Sequence, residues 1–256
     1  MDHDAEESPG DFPRAPTQAE WERLSPEERA AVVEALPAAM TEMEASPPEG
    51  DLHYDAKDDA RATLREWYRR RGQSVYVAAE LTTYYPGEAR FAPDELAVRD
   101  VPVHDRTKWV VSAEGKGLDW VLEVHVGGDR KKDTEHNVAR CARLSIPEYF
   151  IYDRARQHLL AYRMPPGGGA YMRIVPQGAS ARARFSASSS ASRGGRLRFF
   201  HANAELLAPR DLAARLEEML AELEAERDAE AERATQAEAE VERLREELER
   251  LRKGRG

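Results

Sequence analysis

The chain contains a single cysteine, Cys141, among 256 residues. One thiol excludes a disulfide framework within the chain and a zinc cage built on cysteines. It suits a reducing compartment. A surplus of positive charge is also missing: 38 Lys and Arg stand against 48 Asp and Glu, for a net charge of -10. Global attraction to a polyanion is thereby excluded, so any nucleic-acid contact has to come from local basic patches. No apolar run approaches the roughly 20 residues that span a bilayer. The acidic start Met1-Asp2-His3-Asp4-Ala5-Glu6-Glu7 lacks the apolar stretch of a secretory leader. These absences predict a soluble cytoplasmic protein without membrane contact.

What is present falls into three parts. Residues 1–16 carry acids, prolines and glycine with almost nothing to bury, which predicts a disordered segment. Residues 17–208 form a candidate folded domain. Within it, Ser25-Pro26-Glu27-Glu28 opens a helix, with Ser25 as cap, Pro26 at the first helical position and Glu28 completing a capping box. Pro37 stops that helix, and Pro47-Pro48-Glu49-Gly50 reads as a turn. A second helix is expected over 51–71, with Leu52, Ala56, Ala60, Leu64 and Trp67 on one face and Gly72 as terminator. Strands are expected at 75–81, 95–99, 108–112 and 118–125, then a helix over 133–144. Two adjacent strands follow at 149–153 and 159–162, and a last one at 196–201. The stretch 186–195, rich in Ser, Ala and Gly, reads as a low-complexity loop.

The third part, 209–256, has no proline after Pro209 and no glycine before Gly254. Leu216, Leu220, Leu223, Ala234, Ala237, Val241, Leu244, Leu248 and Leu251 recur at alternating steps of three and four, a heptad seam. Arg227 and Glu230 interrupt it in the middle. One solvated helix is the plain reading. A homodimeric coiled coil through residues 212–251 is the favoured one, because a lone helix exposing such a stripe is poorly stabilised.

Chemistry concentrates in the middle of the chain. Pro93-Asp94 precedes the apolar strand Trp120-Val121-Leu122-Glu123-Val124-His125, which holds one acid. A carboxylate in an apolar strand is costly unless something pairs with it. A divalent metal shared with Asp94 would be such a partner. Mg2+, with Mn2+ as a substitute, takes oxygen ligands and keeps several waters. Asp94, Glu123 and the Val124 carbonyl make one such set, and Glu80 at the end of the first strand is a candidate third acid. Such a metal stabilises the charge of phosphodiester hydrolysis and activates water. Glu114-Gly115-Lys116 is a literal Glu-x-Lys, yet it sits in an expected polar turn, so Glu123 ranks above Glu114.

In order, Pro93-Asp94, Glu123-Val124, the helix-opening Asp133 and Glu148-Tyr149-Phe150-Ile151-Tyr152-Asp153 resemble the Uma-two family, a branch of the PD-(D/E)XK restriction-endonuclease-like superfamily. The resemblance covers roughly 51–163. It implies an α/β restriction-endonuclease-like core with a central mixed sheet flanked by helices, magnesium at Asp94 and Glu123, and a nuclease activity. Two positions depart from the pattern. His125 stands where the superfamily often has lysine two residues after the glutamate, and Asn137 stands where the family's helix carries its lysine. Lys132, just before that helix, is the substitute candidate. Arg130, Lys131, Arg140 and Arg143 are candidates for phosphate contact.

Three functions stay open on this reading. The first is a Mg-dependent endonuclease cutting DNA, with Asp94, Glu123 and Lys132 carrying the chemistry. The second is a catalytically weak or inactive nuclease-fold binding or scaffold protein that dimerises through its tail, which Asn137 and the acidic total favour. The third is an interaction protein whose folded part only anchors the coiled coil.

Overall fold

The computed structural model describes residues 12–41, 44, 50–127, 131–175, 180–182, 188–191, 196–201 and 204–253. The expected turn at 47–49, Arg130 and most of the 186–195 stretch lie outside these residues. Contacts divide the chain into two compact units, Met1–Ala208 and Pro209–Gly256.

The first unit opens with two short capped helices. In α1 (Gln18–Arg23) Thr17 and Glu20 form a capping box, and in α2 (Pro26–Ala35) Ser25 and Glu28 do the same. Each box satisfies two otherwise orphaned N–H groups, which lets helices this short persist. Disorder was the expectation through residue 16, but Arg14 and Ala15 bridge to Ala89 and Pro86. Ala15 is buried beside Leu36, Tyr84 and Val110, and that apolar contact orders the segment. The link after α2 is held by side chains from the sheet side. Lys108 donates to the carbonyls of Glu34 and Leu36, Tyr84 to Pro37, Thr82 to Ala38 and Arg90 to Ala39.

Helix α3 (Asp51–Arg70) ends at Gly72, whose φ of +63° suits the left-handed turn that follows. Its buried residues are Ala56, Lys57, Ala60, Thr63, Leu64 and Tyr68. The strands follow: β1 (Val75–Ala79), β2 (Thr83–Tyr84), β3 (Glu95–Arg99), β4 (Trp109–Val110) and, after the short helix α4 (Val111–Glu114), β5 (Trp120–His125). A π-helical turn over Lys132–His136 leads into α5 (Asn137–Arg143). Then come β6 (Glu148–Asp153), β7 (His158–Arg163), β8 (Met172–Arg173), β9 (Ser180–Arg182), β10 (Ser188–Ala191), β11 (Leu197–His201) and β12 (Ala204–Leu206).

The fold class is the expected one, an α/β unit with a mixed central sheet. Its strand order is β1-β3-β5-β6-β7-β8. Neighbours are antiparallel except β5 and β6, which run parallel and are joined through α5. Smaller sheets pair β2 with β4 and order β12-β11-β10-β9. Alternation along the strands divides two apolar layers. Val77, Ala97, Trp120, Leu122 and Val124 pack on the α3 side. Tyr76, Leu96, Val98, Val121 and Ile151 pack on the other side, with Cys141 of α5.

One expected strand is corrected. The segment 108–112 pairs only at Trp109–Val110 and then turns helical, ending at Gly115 with φ +68°. Glu114 of the Glu-x-Lys lies in this helix and takes both guanidinium arms of Arg106, at 2.7 and 3.1 Å. It is committed to a structural ion pair, away from the metal-candidate acids. Segment 133–144 is helical as expected, but its first turn is wound as π-helix. The second unit is the single helix α6 (Pro209–Lys253). Among the described residues no helix is long and apolar enough to cross a membrane.

Candidate metal centre

Pairing of β3 with β5 sets the geometry. Glu95 lies opposite Leu122, so Asp94, one step earlier, comes level with Glu123. The pleat then turns both acids to the α5 side of the sheet, since their neighbours Leu96 and Val121 belong to that layer. Their contact is direct. The Asp94 N–H donates to Glu123 Oε2 at 3.3 Å, and the Val124 N–H donates to Asp94 Oδ2 at 2.7 Å. Two acids far apart in sequence thus share one place at the end of the sheet. Three of the bordering side chains stay partly open to solvent: His53 at 12 %, Asp94 at 18 % and Asp133 at 15 %.

Helix α3 supplies two cationic or potentially cationic groups from the other side. His53 Nε2 lies 3.1 Å from Asp94 Oδ2, and one turn on Lys57 Nζ lies 3.8 Å from Asp94 Oδ1. Lys57 also donates to Glu80 Oε1. Glu80 is therefore joined to Asp94 through the ammonium, and its own carboxylate is largely exposed. The Glu80 backbone is held as well, because its N–H donates to the carbonyls of Pro93 and Asp94. Its φ of +50° is left-handed, a conformation that costs a non-glycine residue about 1 kcal/mol.

The α5 side completes the surroundings. Asn137 Nδ2 lies 3.5 Å from Glu123 Oε1 and 3.4 Å from Asp133 Oδ1. His125 Nδ1 lies 3.2 Å from Asp133 Oδ2, and the Tyr149 hydroxyl donates to the Asp133 carbonyl at 3.0 Å. Three carboxylates, Asp94, Glu123 and Asp133, therefore interact. Burial pushes the Glu123 carboxyl well above its usual range, and the charges of Asp94 and Asp133 add to the rise. The Asp94 N–H and the charge of Lys132 act against it. Burial also raises Asp133, while His125 and then Lys132 pull it down. Such a surplus of negative charge is what a divalent cation neutralises, and oxygen donors are the set that Mg2+ accepts. Among the described residues, no three His, Cys, Asp or Glu side chains form a metal-holding group. The fit therefore rests on two carboxylates with backbone oxygen and water, and not on a closed protein cage.

Of the residues singled out from sequence, Asp94, Glu123 and Val124 meet directly. Glu80 joins through Lys57, and Lys132 acts on Glu123 and Asp133 electrostatically. Two of the proposed phosphate contacts are occupied within the fold. Arg143 pairs with Glu88 at 3.0 Å, and the Arg140 guanidinium lies over the Phe91 ring at 5.5 Å. Sequence reading missed His53 and Lys57. Their one available signal is the i, i+4 spacing of a His and a Lys beside an alanine stripe, which places both on one helix face.

Comparison with known proteins adds three findings. A family model described as "Uma2: Putative restriction endonuclease" matches residues 21–187. Among solved structures, the chain is similar to a putative nuclease belonging to DUF820 from Anabaena variabilis ATCC 29413. That match has 14% sequence identity and a TM-score of 0.40, and it covers 51% of this chain and 74% of the other. No curated protein matches.

Proposed function

Because the chain belongs to the Uma2 family, we propose that it is a divalent-metal-dependent endonuclease that hydrolyses phosphodiester bonds in DNA. The convergence of Asp94 and Glu123 at one end of the sheet carries this reading. Asp94 and Glu123 would hold Mg2+ or Mn2+. A strand residue sends its N–H and C=O to the same edge, so the Val124 carbonyl leaves toward the side where its N–H meets Asp94, and it offers a third oxygen. A bound metal would neutralise charge on the phosphoryl group and lower the pKa of its water.

The protein's own groups do the rest. Val124 N–H and His53 fix the Asp94 carboxylate, and Asn137 borders Glu123. Lys57 and Lys132 flank the acids from opposite sides and supply the positive charge that the family's helix lysine would bring. Glu80 orients Lys57. Asp133, held by His125, lies beside Glu123 and strengthens the demand for a cation.

Plasmid nicking with purified protein tests the proposal. Wild type is expected to nick DNA in Mg2+ or Mn2+ and to stop in chelator. Asp94→Asn and Glu123→Gln are expected to lower the rate at least 1000-fold, on the order of removing a metal's contribution to the transition state. Nicking that persists in both variants sinks the assignment. One observation favours a second reading. Asn137, within reach of Glu123 and Asp133, cannot carry the charge of a lysine. DNA binding without nicking in either metal would make the protein a nuclease-fold binding or scaffold module.

A further inference from the structure

We propose that α6 docks against the α6 of a second copy of this chain as a parallel, in-register, two-stranded coiled coil. The inference is independent of the catalytic reading. The helix runs for 45 residues and buries none of them. Leu216, Leu220, Leu223, Val241, Leu244, Leu248 and Leu251 keep between 47% and 64% of their surface open. In heptad terms Leu220, Arg227, Ala234, Val241 and Leu248 take a positions. Leu216, Leu223, Glu230, Ala237, Leu244 and Leu251 take d positions. That stripe needs a cover, and water alone does not stabilise a helix that exposes it.

Charge selects the occupant and the direction. In a parallel pair a g residue faces the e residue of the partner's next heptad. Arg233 then faces Glu238, Glu240 faces Arg245, and Glu247 faces Arg252. The remaining g–e pairs are Leu212–Glu217, Met219–Glu224 and Glu226–Ala231, so no pair sets like charges together. This sequence is complementary to itself. Intrahelical ion pairs with spacings of three or four gather between Glu240 and Lys253, where two of the three interhelical charge pairs also lie. Arg227 at the central a position bonds to Asp228 at 2.7 Å in the single helix. In the pair it lies beside Glu226 at the partner's g position. A polar a residue of this kind fixes register at a cost in stability.

An antiparallel pair is the poorer solution. Setting Arg227 level with Glu230 would place Leu220 and Leu223 opposite Ala237 and Ala234, and would carry Leu251 beyond the partner's Pro209. Parallel pairing sets leucine on leucine and brings the two Pro209 residues to one end.

The full chain tests the proposal by light scattering and cross-linking. It is expected to have dimer mass at micromolar concentration. Leu216→Cys and Leu251→Cys, made separately, are each expected to cross-link to themselves on oxidation, while Cys141 is buried and stays out of the reaction. Glu240→Arg and Arg245→Glu are each expected to weaken dimerisation roughly 5- to 10-fold, since each sets two like-charged pairs across the seam. Glu240→Arg combined with Arg245→Glu is expected to return it to within about twofold of wild type. Circular dichroism checks that each variant keeps its helix. A monomer, cross-linking at neither end, or a combined variant as weak as the single ones overturns the proposal.

Discussion

Lys57 reaches out from α3 to within 3.8 Å of the Asp94 carboxylate while donating to Glu80. The ammonium in direct contact with the Pro-Asp element therefore comes from a helix on the opposite side of the sheet from α5. Lys57→Met keeps most of the buried stem and removes the charge. It is expected to lower metal-dependent nicking roughly 100-fold, the scale of one electrostatic group at a phosphoryl centre. Lys132→Met tests the other flank in the same assay. If Lys132→Met costs two orders of magnitude and Lys57→Met almost nothing, the cationic role belongs to Lys132.

Asn137 offers the converse experiment. A lysine there would point at two carboxylates, Glu123 and Asp133, that the asparagine amide already borders. Asn137→Lys is expected to raise the nicking rate roughly tenfold, below the ~100-fold scale of a single electrostatic group because two lysines already flank the site. A variant that folds but nicks no faster would mean that the two flanking lysines already meet the need.

Glu95 makes a pH-dependent prediction. The side chain is wholly buried, and neither carboxylate oxygen has a hydrogen-bond partner among the described residues. Burial raises its pKa well above 4.5, against the pull of Arg61. The folded state then holds a proton that the unfolded chain releases near pH 4.5. Its ionisation therefore costs stability as pH rises above that value, until the folded group itself ionises. Glu95→Met is expected to stabilise the fold by roughly 1–3 kcal/mol near neutral pH. The gain should shrink as pH falls toward 4.5, as read by urea unfolding at several pH values. A gain that does not vary with pH contradicts the buried-acid account.

Glu44 behaves in the opposite sense. Hydrogen bonds from Arg90, at 2.8 and 2.6 Å, hold its pKa down to about 2. A depressed folded pKa means stability that is present above the unfolded value of 4.5 and is lost as pH falls toward 2. Glu44→Gln is expected to cost roughly 1–3 kcal/mol at neutral pH, because Arg90 is left buried with its charge uncompensated. The variant should also flatten the acid side of the stability profile, which in wild type is expected to fall. An unchanged acid limb in Glu44→Gln would move the acid sensitivity elsewhere.

Much of this was legible in the residues because the forces are local. The Ser25 and Glu28 box, the alternation in β3 and β5, and the Pro-Asp and Glu-Val pair each need only a few neighbours to be read. The parts that were missed depend on distant partners. An apolar face for α3 through Leu52 and Trp67 follows from spacing alone, yet Leu52 is half exposed and Lys57 and Tyr68 face inward. Ala56, Ala60 and Leu64 are buried as the spacing places them, and Lys57 joins them where it meets carboxylates at Glu80 and Asp94, which no periodicity reveals. Val110-Val111 reads as a strand by propensity, but Gly115 with positive φ lets α4 close there instead. Asp94 and Glu123 could be matched in sequence, whereas their nearness depends on the β3–β5 register.

The grip on the link after α2 bears on where this protein can be cut. A chain begun at Asp51 would still contain Asp94, Glu123 and Asp133. It would also leave the donors of Thr82, Tyr84, Arg90 and Lys108 to water, without the carbonyls of residues 34–39 that receive them. A fragment that keeps these contacts, and the packing of Ala15 beside Leu36, Tyr84 and Val110, begins upstream of Ala15.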